Sequence, residues 1–139
     1  MIGRVSSFLF DSLRHQAGSG APLVGWRVEV VSIPLQKASR RRIRLTLRGA
    51  LMIVRNGQAR VALGCGSRRA STELIGRETQ PLPNGALPSR QRPLDLSVVI
   101  PRSARPRAEL RVLIFIDVSA DSPDAQSDAV VDSLDIEAI

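Results

Sequence analysis

The sequence predicts an all-β, mostly antiparallel fold: a two-sheet β-sandwich of immunoglobulin-like or jelly-roll topology, with a short helix at its N-terminus. Three observations predict it. From Trp26 onward, apolar residues recur at every second position, the period of a half-buried strand. The apolar content is carried by Val, Ile, Leu and Ala, with aromatics at only 3% of 139 residues, and β-branched side chains suit strands. Gly, Pro and Asn signals separate the alternating runs, and no helical crossover lies between them. The length suits one domain with a core of its own. It divides into a helix and linker over 1–20 and a sandwich over 21–139.

Val5, Phe8, Leu9 and Leu13 have the spacing of one helical face, which predicts a helix over 4–16. Gly18-Ser19-Gly20-Ala21-Pro22 would stop it. Residues 26–33 alternate, with Trp26, Val28 and Val30 on one face and Arg27 and Glu29 on the other; Pro34 ends that strand or puts it at an edge. Residues 41–54 form the clearest strand, with Ile43, Leu45 and Leu47 on one face and Arg42, Arg44, Thr46 and Arg48 on the other. Asn56-Gly57 is a strong hairpin signal, because a type I′ turn needs positive φ at both central residues. A hairpin there would pair Val54 with Ala59, Met52 with Val61 and Ala50 with Leu63. The core face would then change from odd to even numbers, leaving Leu51 and Ile53 on the far side, so a β-bulge is expected at Gly49.

Residues 64–93 read as a long loop with a weak strand over 72–79. Leu94, Leu96, Val98 and Ile100 alternate again. Leu110, Val112, Ile114, Ile116 and Val118 form a strong apolar face, and Leu113 and Phe115 partly cover the other, which predicts a central strand. The tail places Val130, Leu134, Ile136 and Ala138 inward. About six or seven strands result.

Charge is strongly segregated. Of 20 basic residues, only Lys37 is a lysine. Residues 40–111 hold sixteen arginines against four acids, whereas 112–139 hold seven acids and no base. The net charge is +7. The two ends are electrostatically complementary, within a chain or between chains.

Catalytic chemistry is thinly represented. His15 is the only histidine and reads as a solvent-facing side chain, which disfavours acyl-transfer triads. Cys65, the only cysteine, sits between two glycines with no base near it in sequence and reads as a small buried thiol. One Cys and one His do not make a zinc site. Asp121, Asp124 and Asp128 have hard oxygen ligands, but their spacing fits no EF-hand loop and reads as a solvated acidic turn. No glycine-rich phosphate loop is present. No cofactor, metal or small-molecule substrate is expected.

The reading that follows is a non-catalytic module acting through protein–protein contact, in a homo-oligomer or with another protein. Phe8, Leu9 and Leu13 are candidate contacts on a neighbouring subunit. The alternative is RNA or DNA binding, with Arg40, Arg41, Arg42, Arg44 and Arg48 gripping the phosphate backbone; few aromatics are available for base stacking. No apolar run approaches the length of a membrane span. The first residues do not pattern as a secretory signal, and a cytoplasmic protein is the simplest expectation.

Overall fold

The computed structural model describes residues 5–10, 13–34, 42–76, 89–101 and 109–139. Among them the chain forms strands only: β1 (Val5–Leu9), β2 (Arg14–Gly18), β3 (Val24–Pro34), β4 (Ile43–Val54), β5 (Gly57–Cys65), β6 (Arg68–Ile75), β7 (Ser89–Ile100), β8 (Glu109–Ala120) and β9 (Gln126–Ala138). They make two antiparallel sheets. One has the order β1-β9-β4-β7, with β2 also on β9; the other has the order β3-β8-β5-β6.

The pairings have a simple logic. β1 and β2 pair with β9, β3 with β8, β4 with β7, and β5 with β6, all antiparallel. The chain is thus one long two-stranded ribbon whose closed end is the β5–β6 turn, where Gly66 takes a positive φ of 60°. Rolling the ribbon brings β4 beside β9 and β5 beside β8, and these contacts complete the two sheets.

One core lies between the sheets. Leu45, Leu47, Leu51, Ile53, Leu94, Ile100 and Leu134 come from the first sheet and Val61, Leu63, Val112, Ile114 and Ile116 from the second. The alternations over Ile43, Leu45 and Leu47 of β4 and in β7 and β8 are those the sequence predicts, and β8 is central in its sheet. β7 lies at an edge, where a proline such as Pro93 is tolerated.

Four expectations are corrected. The N-terminal helix is absent: β1 and β2 run in succession along one edge of β9. The spacing of Val5, Phe8, Leu9 and Leu13 fits a helix, but a short segment gains more by completing the open β9 ladder than from helix propensity. Phe8 is in register with Leu134, Leu9 is 79% exposed, and Leu13 is buried in the core.

The Asn56-Gly57 turn is not a hairpin. β4 and β5 lie in different sheets, and the turn is the corner between them. Arg55 takes the positive φ, 61°. Ser127 pins this corner: its Oγ accepts from the Gln58 N–H at 2.8 Å and donates to the Ser119 carbonyl at 2.5 Å. A strand crossing between sheets keeps its phase, so Leu51 and Ile53 face the core with Leu47 and Leu45.

The bulge occurs at the predicted place but on another strand. The β4–β9 register shifts between Arg48 and Gly49, from Arg48↔Ser133 to Gly49↔Val131, so the extra residue is Asp132 of β9. Asp132 also explains the tail, where Val131 rather than Val130 is buried while Leu134 remains inward. Gly49 is required there, because a Cβ would run into the Val130 carbonyl. On the other flank the ladder is interrupted between β1 and β2, where the Phe10 N–H donates to the Asp132 carbonyl and the Val131 N–H to the Leu13 carbonyl.

The long loop carries β6 at Arg68–Ile75, earlier than the 72–79 expected; residues 77–88 lie outside the described part.

Candidate interaction face

Each sheet has an outer face, and the two differ in chemistry. The outer face of the β1-β9-β4-β7 sheet is charged and internally paired. Arg44 of β4 lies 3.6 Å from Glu137, and Arg48 3.5 Å from Asp135. Ser7 of β1 donates to Asp135 at 2.6 Å. Arg14 of β2 grips Asp128 through Nε at 3.0 Å and Nη2 at 2.5 Å. The hydrogen bond to Asp128 and its charge hold the Arg14 guanidinium above its ordinary pKa. The basic middle of the chain and its acidic end therefore meet across strands of one sheet.

Of the five candidate phosphate-binding arginines, Arg44 and Arg48 face acids, Arg42 is exposed at the start of β4, and Arg40 and Arg41 lie outside the described residues. The contacts proposed at Phe8, Leu9 and Leu13 are not gathered on one surface, since Leu13 is inside the core and Leu9 points to water.

The outer face of the β3-β8-β5-β6 sheet carries an apolar patch on β3 and β8. Even-numbered residues of β3 project there with odd-numbered residues of β8: Val24, Trp26, Val28, Val30 and Leu113 are 66%, 67%, 44%, 52% and 46% exposed. Phe115 lies among them, with the Arg60 guanidinium 5.9 Å from its ring centre. Across β5 and β6 the same rows continue through small residues. Val28, Phe115, Ala62 and Ser71 form one row, and Val30, Leu113, Gly64 and Arg69 the next. Trp26, Asp117, Arg60 and Glu73 form the row beyond. A shallow cleft of about 460 Å³ opens over Ala62, Gly64 and Ser71, bounded by Leu113 and Phe115.

Sequence reading finds the alternation in β3 but not its direction. Trp26, Val28 and Val30 resemble a core stripe, yet the inward side of this edge strand is Gly25, Arg27, Glu29, Val31 and Ile33, of which only Ile33 is fully buried. Gly25 lies against His15, and Arg27 pairs with Glu29 at 3.3 Å. Period alone is symmetric between the two faces; the signal available was Pro34, which marks an edge.

The residues singled out for chemistry are dispersed. His15 is half-buried against Gly25. Cys65 is a buried free thiol, and burial pushes its pKa up. Asp124 contacts Arg55 and the Ser122 hydroxyl, and Asp128 is held by Arg14. Among the described residues no three His, Cys, Asp or Glu side chains gather in a metal-binding group, and no helix is long and apolar enough to cross a membrane.

No protein-family model matches the chain. No curated protein matches it either. Among solved structures, a chain in the structure of infectious bursal disease virus Gt strain is similar in fold, with a TM-score of 0.50 and 12% identity. The match covers 98% of this chain and 32% of that one, so the chain spans about a third of its structural neighbour's length and shares with it a β-sandwich fold.

Proposed function

We propose that this protein is a non-catalytic assembly module, a jelly-roll sandwich whose apolar outer sheet face binds protein. The observation that carries the reading is the contiguous patch of Val24, Trp26, Val28, Val30, Leu113 and Phe115. Monomeric proteins rarely leave a large contiguous apolar area in water, and such areas mark partner sites. The rolled ribbon, with β1 and β2 sharing one edge of the first sheet so that each layer is four strands wide, supports the jelly-roll assignment, and viral capsid domains are among the uses of that architecture. Fold alone does not set function. The virus-derived neighbour adds weight only because the face independently demands a cover.

Nucleic-acid binding is the second reading, and the ion pairs of Arg44 and Arg48 weaken it. A phosphate would have to displace Glu137 and Asp135. Solution mass with the 260-to-280 nm absorbance ratio of the purified protein tests the two together. The expected result is a mass above one chain with the ratio of pure protein. A single-chain mass at every concentration, with no protein bound, would overturn the assembly reading. A nucleic-acid ratio that falls on raising salt would support the second.

A further inference from the structure

We propose that the occupant of the apolar face is a second copy of this chain, packed face to face about a two-fold axis that runs along the strands between β8 and β5. The proposal rests on the assembly reading above and gives it a surface and a geometry.

Relief is the first argument. The β3–β8 half of the face is raised by Trp26, Val28, Leu113 and Phe115, whereas the β5–β6 half is lowered at Ala62, Gly64 and Ser71. A two-fold axis along the strands exchanges β8 with β5 and β3 with β6. Because the rows run straight across the sheet, Phe115 then falls on the second copy's Ala62, and Leu113 on its Gly64. Each contact occurs twice, as a two-fold interface requires.

Gly64 is the second argument. Glycine weakens a strand, and within strands it marks a bulge, a tight bend or the close approach of another backbone or ligand. Here the register on both sides of Gly64 is unbroken. Its φ is not in the left-handed region, and a Cβ would meet nothing closer than 3.9 Å. Nothing in its own chain needs a glycine there, whereas a second copy's Leu113 seated in the cleft does.

Charge is the third. Asp117 and Arg60 share a row. Under the same axis each Asp117 faces the other copy's Arg60. Among the described residues neither forms an ion pair, in contrast to Arg14, Arg44 and Arg48 on the opposite face. A patch carrying both signs at mirrored positions matches a copy of itself.

Sedimentation velocity of the full chain and its charge variants tests this. Wild type should self-associate. Arg60→Asp and Asp117→Arg should each lower the association constant tenfold or more, by setting two like pairs face to face. An equimolar mixture of the two variants should associate again, because both opposite-charge pairs re-form. Gly64→Lys supplies an independent variant: the space around Gly64 lets it fold, as circular dichroism would record, and the long side chain fills the cleft. It should sediment as single chains. A wild type that associates while all three variants associate equally well would overturn this geometry and leave the assembly reading standing. A wild type that stays a single chain at all concentrations would overturn the self-pairing, and only if it also carries no other protein would the assembly reading fall with it.

Discussion

At the scale of single residues, this fold is held by apolar contacts, and its visible ion pairs contribute little. Arg44–Glu137 and Arg48–Asp135 are half-exposed surface pairs, each worth about 0–1 kcal/mol. They answer Arg44 and Arg48 within the sheet. Asp124 offers a measurable case. The Ser122 hydroxyl and, less strongly, Arg55 hold its carboxyl below the usual carboxylate range. Protonating it is therefore harder in the folded chain than in the unfolded one. The carboxylate stabilises the fold above the unfolded pKa, about 4, and that contribution is lost as pH falls through the lower folded value. The effect is small because the side chain is open to water. Asp124→Asn should lower the melting temperature slightly near neutral pH, and the difference should shrink as the pH falls through the lowered folded value. A difference that persists undiminished in acid would show that the carboxylate acts in some other way.

At the scale of elements, the β9 bulge organises the charged sheet. One extra residue, Asp132, moves the inward phase of β9 from odd to even positions, so that Val131 and Leu134 can both be buried. The cost is a close approach of the Val130 carbonyl to β4, which only Gly49 tolerates. Gly49→Ala should destabilise the protein by about 1–3 kcal/mol, the usual penalty for overpacking. Denaturant unfolding would read this directly, and an unchanged midpoint would mean that β4 and β9 are not this close.

Gly49 also shows how far the sequence could be read. Its place as the site of irregularity was legible, because a glycine interrupts a strongly alternating strand. The strand that carries the extra residue was not, since Val130-Val131 offers two apolar neighbours and either could turn inward. Asn56-Gly57 misled for a related reason: the dipeptide specifies a reversal, and a corner between sheets reverses the chain as well as a hairpin does. The helical spacing over 4–16 was real but local, and a free β9 edge outweighed it. The periods of the first half of β4, of β7 and of β8 were legible because one face of each is buried in a thick core, whereas the face that Leu51 and Ile53 take was misread through the expected hairpin. The apolar face of β3 was hidden because period two does not say which side is out.

At the scale of the whole molecule, the segregation of charge along the chain becomes neutralisation in space. Rolling the ribbon lays acidic β9 against basic β4. Two of the arginines that looked like an external binding surface, Arg44 and Arg48, are answered inside one sheet. The unsatisfied surface is on the other side, where an edge strand and a central strand present apolar side chains to water. Sandwich layers cover their apolar faces; this sheet has one covered face and one that leaves Trp26, Val28, Val30 and Leu113 exposed.

The single tryptophan makes that claim directly measurable, because Trp26 is 67% exposed and stands on the apolar face. Its fluorescence should be followed through a dilution series in parallel with the sedimentation mass. If the face is the contact, emission shifts to shorter wavelength as the mass rises, and returns to that of a water-exposed indole on dilution to single chains. Assemblies that form while Trp26 continues to emit as if in water would contradict the account.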